Sequence, residues 1–194
     1  MKKMPYIIIG LTVAAAIILI AGYRKKDSLS TDDIDGGVRT SRTDPYAPKV
    51  INSTEITSFN CVFSTVTLDS SYGFEGKVYS LEAKVKEGKV YGHIDYYDRS
   101  GEGSKIGFET DVQFMESLYG IVARYDFAQH NGYSYFISGL PDMYGAYLNI
   151  GFASGEAISV SDNQSNFLSV EFMRELIALF AEYSGLENPA DDSL

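Results

Sequence analysis

The stretch GKVYSLEAKVKEGKVYGHIDYYD, Gly76 to Asp98, decides how this chain folds. Two runs of alternating apolar and polar residues flank Glu87-Gly88, the pattern of an antiparallel hairpin. A two-residue turn pairs Val85 with Val90, Ala83 with Gly92, Leu81 with Ile94 and Tyr79 with Tyr96, which collects one apolar face. The other face then carries Lys84 against Tyr91, Glu82 against His93, Ser80 against Asp95 and Val78 against Tyr97. A three-residue loop would set Leu81 against His93 and mix the faces, so that register is rejected.

Outward from this hairpin, strands are expected at Ile56–Leu68, Ser104–Glu109, Tyr133–Ser138, Ala146–Ala153 and Glu156–Ser161. The last two turn through Ala153-Ser154-Gly155, because a three-residue loop pairs Ile150 with Ile158 and Leu148 with Val160. A two-residue turn would pair Ile150 with Ser159. Gly155 is expected at positive φ in a bulge.

Two amphipathic helices interrupt the strands. Thr110-Asp111-Val112-Gln113 fits a capping box opening a helix to Tyr125, with Met115, Leu118, Val122 and Tyr125 on one face. The second runs from Val170 to Tyr183, with Met173, Leu176, Ile177 and Phe180 inward and Gly185 as its stop. Aligned at a spacing of 58 residues, the two helices share six of fifteen positions. A duplicated strand-and-helix unit is one reading, and convergence of two helices on the same packing is the other.

Composition agrees with a folded core: 45% of residues are hydrophobic and 22% charged, with fifteen Tyr and eleven Phe. Cys61 stands alone, so no intramolecular disulfide and no cysteine-built zinc site can form. The net charge is −10, but the first 26 residues hold five of the 16 basic residues and no acidic one. Residues 27–194 therefore set 11 basic against 26 acidic residues, a formal −15. So acidic a domain repels phosphate backbones, and no nucleic-acid partner is expected.

Tyr6 to Tyr23, YIIIGLTVAAAIILIAGY, holds eighteen residues without a charge between Lys2-Lys3 and Arg24-Lys25-Lys26. As a helix it reaches about 27 Å, near the roughly 30 Å of the bilayer core. Residues 1–26 thus read as a signal anchor, a single transmembrane helix in the cell membrane. A cleaved signal peptide is the competing reading, but a cut after Ala16 would leave IILIAG exposed, and a cut after Gly22 puts Ile20 three residues upstream. Basic charges nearly balance across the segment. The short basic start and the Tyr-, Ser-, Asn- and Gly-rich domain favour export, so an extracytoplasmic domain is expected.

Residues 27–50 show no apolar periodicity and read as a flexible acidic linker. Residues 51–187 follow as a single α+β domain, and residues 188–194 read as a disordered tail. The expected architecture is α+β: an N-terminal transmembrane helix, then an antiparallel sheet of about seven strands, rich in hairpins, covered by the two helices.

Chemistry is thinner. The chain has no Gly-x-Ser-x-Gly elbow, phosphate loop, dinucleotide fingerprint or His-Glu-x-x-His helix. The nearest approach to a catalytic group is Glu82, His93 and Asp95, brought together by the hairpin register. A carboxylate beside an imidazole serves as a general base or a partial metal site. A solvated ion pair on a sheet face is the ordinary alternative. Tyr91 and Tyr97 flank His93 and offer a stacking surface for a sugar ring, a peptide or a partner protein. Asn52-Ser-Thr and Asn163-Gln-Ser match glycosylation acceptors, and AQHNG, with His130, reads as a loop. No cofactor and no metal are expected.

The segment NGYSYFISGLPDMYGAYLNIGFASGEAISVSDN (131–163) and the helix after it resemble uncharacterised membrane-anchored and lipoprotein-like exported proteins of anaerobic Gram-positive bacteria. The resemblance spans Ile56 to Gly185 and implies an exported bacterial α+β domain with no known activity. This chain lacks a lipid-accepting cysteine after the apolar stretch, which leaves anchoring to the helix. The expectation is a single-pass membrane protein that binds a protein or cell-envelope ligand without catalysis. The alternatives are a small hydrolase or metal-dependent enzyme using the Glu82, His93 and Asp95 face, and a cytoplasm-facing interaction domain.

Overall fold

A computed structural model describes residues 33–34, 37–68, 74, 76–139 and 144–186. The apolar stretch Tyr6–Tyr23 and residues 188–194 lie outside them, and no helix among the described residues is long and apolar enough to cross a membrane. In chain order the elements are β1 (Asp33–Ile34), β2 (Gly37–Thr43), β3 (Ile56–Ser64), β4 (Val78–Lys86), β5 (Lys89–Tyr97), β6 (Gly103–Thr110), α1 (Gln113–Val122), a 3₁₀ turn (Phe127–His130), β7 (Tyr133–Ile137), β8 (Ala146–Phe152), β9 (Ala157–Asp162) and α2 (Val170–Ser184). Across the sheet the strands run β1-β2-β7-β9-β8-β3-β4-β5-β6, with the two-residue β1 attached only to β2.

The β4–β5 hairpin has the register that the alternation requires, from Val85 opposite Val90 to Tyr79 opposite Tyr96. Glu87 and Gly88 take φ of 53° and 77°, both positive as a type I′ turn demands. The β8–β9 pair also follows expectation: Leu148 faces Val160, Ile150 faces Ile158, and Gly155 has φ of 85°. In both hairpins local sequence is sufficient, because only one register puts every apolar residue on one side.

Both helices pack on that apolar side. Phe180 of α2 lies 6.1 Å from Phe59 of β3, 5.8 Å from Phe108 of β6 and 5.1 Å from Phe114 of α1, ring centre to ring centre. Around this aromatic knot sit the fully buried Cys61, Leu81, Ile94, Leu148 and Ile150 of the strands and Leu118, Phe172, Met173, Leu176 and Ile177 of the helices. Helix α2 opens with Ser169, whose hydroxyl accepts from Phe172 N at 3.2 Å, and ends at Gly185 with φ of 70°.

Several expectations need correction. The sheet is not wholly antiparallel: β7 and β9 are parallel, Ser134 facing Ser161 and Tyr135 facing Asp162. Residues 33–34 and 37–43, read as part of a tether, are strands. Strand β2 pairs with β7 from Arg39 opposite Ile137 to Thr43 opposite Tyr133. Its sequence, GVRTSRT, has no apolar alternation because backbone pairing holds it, with Ser138 N donating to Val38 O and Asp44 N to Gly132 O, each at 3.0 Å. Strand β3 stops at Ser64, four residues short, where Thr65 turns away and its hydroxyl exchanges hydrogen bonds with the Lys77 backbone.

The expected capping box does not form. Thr110 is the last residue of β6, opposite Val90, and Asp111 instead accepts from Gln113 N at 2.9 Å. Helix α1 ends at Val122, after which Arg124 N and Tyr125 N bond carbonyls three residues back and Asp126 reverses with φ of 45°. Finally, β4, β5 and β6 lie side by side in sequence order before α1, whereas the strands before α2 are ordered β7-β9-β8. The two halves thus differ in topology, which favours convergent helix packing over duplication.

Candidate functional site

Because side chains alternate along a strand, the registers assign the opposite face without ambiguity. Three rows cross it from β8 to β6: Tyr147, Val62, Ser80, Asp95 and Lys105; Asn149, Asn60, Glu82, His93 and Gly107; Gly151, Ser58, Lys84, Tyr91 and Glu109. None of these residues belongs to the helix-packed core. Among the described residues this is the face that neither helix covers.

His93 sits as the hairpin arithmetic places it, directly across from Glu82. Its Nε2 lies 3.9 Å from Glu82 Oε2, with the imidazole 22% and the carboxylate side chain 47% exposed. That contact is electrostatic and longer than a hydrogen bond. Asp95 is two residues along the strand, opposite Ser80 on one side and Lys105 on the other. Same-face positions two apart on a strand stand about 7 Å from one another. Among the described residues no three of His, Cys, Asp and Glu are grouped to hold a metal. The structure therefore joins Glu82 with His93 and leaves Asp95 in a separate row.

Tyr91 and Tyr97 are 43% and 42% exposed, so both rings present much of their surface to solvent. Tyr91 edges a depression of about 240 Å³ whose wall also includes Asn60, Glu82, Lys84, His93 and Asn149. Asn60 Nδ2 lies 3.5 Å from Glu82 Oε1, while Asn60 Oδ1 is buried without a hydrogen-bond partner. Asn149 Nδ2 donates to the Tyr147 hydroxyl at 3.0 Å. The depression thus offers carboxylate, ammonium, amide and imidazole groups beside one aromatic ring. Tyr97 lies in the row beyond Asp95 and does not line it.

A second depression, of about 280 Å³ and more apolar, lies on the same face between Val62, Tyr147, Ser134, Phe136 and Ser161. Phe136 on its rim is 46% exposed. Asn60 and Asn149 of the first site and all of the second were out of reach of local reading. They come from β3, β7, β8 and β9, of which only β8 and β9 are joined by a turn; the pairing of β3 with β8 and of β7 with β9 is set by long-range contacts.

The remaining singled-out residues are structural. Cys61 is fully buried, and burial pushes its thiol up, away from the reactive thiolate. The Asn163 side chain accepts from Ile137 N at 2.9 Å and donates to Ile137 O at 3.0 Å, acting as one further rung between β9 and β7. Asn131, in the loop beyond His130, is 3% exposed and holds three backbone groups. Its Oδ1 accepts from Ser159 N at 2.8 Å, and its Nδ2 donates to Pro48 O at 3.0 Å and Ala157 O at 2.7 Å.

Compared with protein-family models, with curated proteins and with solved structures, the chain finds no match. None of these comparisons bears on the resemblance read in residues 131–163.

Proposed function

We propose that this chain is a single-pass membrane protein whose α+β domain stands outside the cytoplasm and binds a protein or cell-envelope ligand on the helix-free face of its sheet, without catalysis. One observation carries the binding reading: the same strands that bury Leu81 and Ile94 under the helices turn toward solvent half-exposed tyrosines and a polar depression lined by Asn60, Glu82, Lys84, His93 and Asn149. Ligand sites combine apolar or aromatic surface with a few polar groups that fix the ligand's orientation. The anchoring reading rests on the uncharged stretch Tyr6–Tyr23 and its basic flanks.

The enzyme alternative draws on the Glu82–His93 adjacency. Their 3.9 Å contact is longer than the hydrogen bond by which a carboxylate orients a catalytic imidazole, about 2.6–3.2 Å. The reading is tested with full-length protein in lipid nanodiscs, its His and Tyr residues isotope-labelled and titrated with separated polysaccharide and protein fractions of the envelope. Binding predicts shifts at Tyr91, His93 and Tyr97 with none at Tyr125 and Tyr183 on the helix side of the sheet. Shifts in neither fraction overturn it, and turnover abolished by His93→Ala would establish the enzyme instead. A reporter active only after export, fused behind Leu194, tests orientation: an intact but inactive membrane-bound fusion would place the domain in the cytoplasm.

A further inference from the structure

The sheet ends on β6, and nothing among the described residues pairs with its outer side. Which backbone groups point outward follows from the β5–β6 turn. Asp98 N donates to Glu102 O at 2.9 Å, so even-numbered residues exchange hydrogen bonds inside the hairpin and odd-numbered ones face away. The open edge therefore presents the N–H and C=O groups of Lys105, Gly107 and Glu109. An edge this long is a template for another strand, and isolated lysines are a common guard against such pairing.

Here the guard has its own complement. Around Gly107 the sequence is symmetric in chemistry: Lys105 and Glu109 lie two residues to either side on the open face, Ile106 and Phe108 one residue to either side on the helix-packed face. We propose that β6 pairs antiparallel with β6 of a second copy about a two-fold axis through Gly107. In that register Lys105 meets the second copy's Glu109 and Glu109 meets its Lys105, while Ile106 meets Phe108, both half-buried already. Opposite charges directly across an antiparallel pair stabilise it, and the symmetry doubles each contact. Three outward-facing pairs would exchange about six backbone hydrogen bonds.

Glu109 already bonds Lys89 of its own chain, so each carboxylate would stand between two ammonium groups. Other registers confined to β6, which ends at Thr110, do less well. A shift of two residues along the copy pairs Lys105 with Gly107 and strands Glu109, and a shift of four sets Lys105 against Lys105. The interface lies on the rim of the sheet, apart from the depression on its face, so the inference does not depend on the ligand reading.

Cys61 is fully buried, which makes an introduced surface cysteine the accessible thiol. A side chain fits at Gly107, where an added Cβ would meet only Gly92 O at 3.7 Å. Full-length Gly107→Cys, in membranes and treated with a short bismaleimide, should form a covalent dimer, with far less from Ser117→Cys on the exposed side of α1. Adding Lys105→Glu should cut the yield several-fold. Adding Lys89→Glu, Lys105→Glu and Glu109→Lys together, which reverses all three charges, should restore it. Equal yields at 107 and 117, or a yield indifferent to Lys105→Glu, overturn the proposal. Should the cysteine variant misfold, sedimentation equilibrium of the native sequence in detergent decides: a monomer at every concentration overturns it, and a dimer lost on Lys105→Glu and regained on triple reversal upholds it.

Discussion

The two faces of the sheet are built by the same strands one residue out of step, yet they answer to different constraints. Leu81, Ile94 and Leu148 point to the helices and have no exposure, whereas their neighbours Glu82, His93 and Asn149 point the other way and keep some or much of theirs. On the covered side, shape and volume are dictated by close packing, so almost any truncation leaves a void. On the open side no such packing constrains a side chain. A residue can therefore be indispensable to one property and neutral for the other.

The sharpest way to break this comparison is a pair of truncations. Phe180→Ala removes a ring enclosed by Phe59, Phe108 and Phe114 and should destabilise by about 3–5 kcal/mol. Tyr97→Ala, on the open face, should stay within about 0.5 kcal/mol. Urea unfolding followed by far-ultraviolet circular dichroism measures both. Similar costs would mean that the open face is also a packed one, and the binding reading would lose its basis.

How far the sequence discloses each region follows the same division. The β4–β5 and β8–β9 registers were readable because one short turn and an apolar alternation leave a single consistent pairing. The inward stripes of both helices were readable from their spacing, apart from Tyr125, which lies beyond the end of α1. Strand β2 was not, because its polar residues carry no pattern and backbone pairing to β7 creates the strand. The candidate site was half readable. Glu82, His93 and Tyr91 follow from the hairpin alone, but Asn60 and Asn149 reach it only through the pairing of β3 with β4 and β8, which no local signal announces.

Asn131 sharpens the comparison from a third position, since it is polar yet as buried as the core. Its amide holds Pro48 O, Ala157 O and Ser159 N, and its own carbonyl accepts from Lys49 Nζ at 2.6 Å, so it joins the segment after β2 to β9. Asn131→Leu keeps the approximate size and leaves those three groups unpaired, at a cost of about 1–3 kcal/mol. Hydrogen exchange should quicken in residues 44–49 and around Ser159, with the β4–β5 hairpin unchanged. Uniform quickening would instead make Asn131 part of the common core.

The smallest expected effect belongs to Glu156, at the rim between the two faces. Its carboxylate accepts from the Ser154 hydroxyl at 2.7 Å, from Asn52 N and Ser53 N at 3.1 Å each, and from Asn52 Nδ2 at 3.2 Å. The Ser154 hydroxyl first, and then the Asn52 and Ser53 backbone N–H groups, hold its pKa below the ordinary carboxylate value. A folded pKa below the unfolded one means that the charged form is favoured by folding. Its stabilisation is therefore complete above the ordinary carboxylate pKa and fades as pH falls through the lowered value. Glu156→Gln should lower the unfolding midpoint at neutral pH, and the gap from the native sequence should close toward about pH 3, where most carboxylates are protonated. A gap that persists in acid would mean that the side chain acts through shape and not through charge. The ties from Asn52 and Ser53 would then resemble the packed face more than the solvated one.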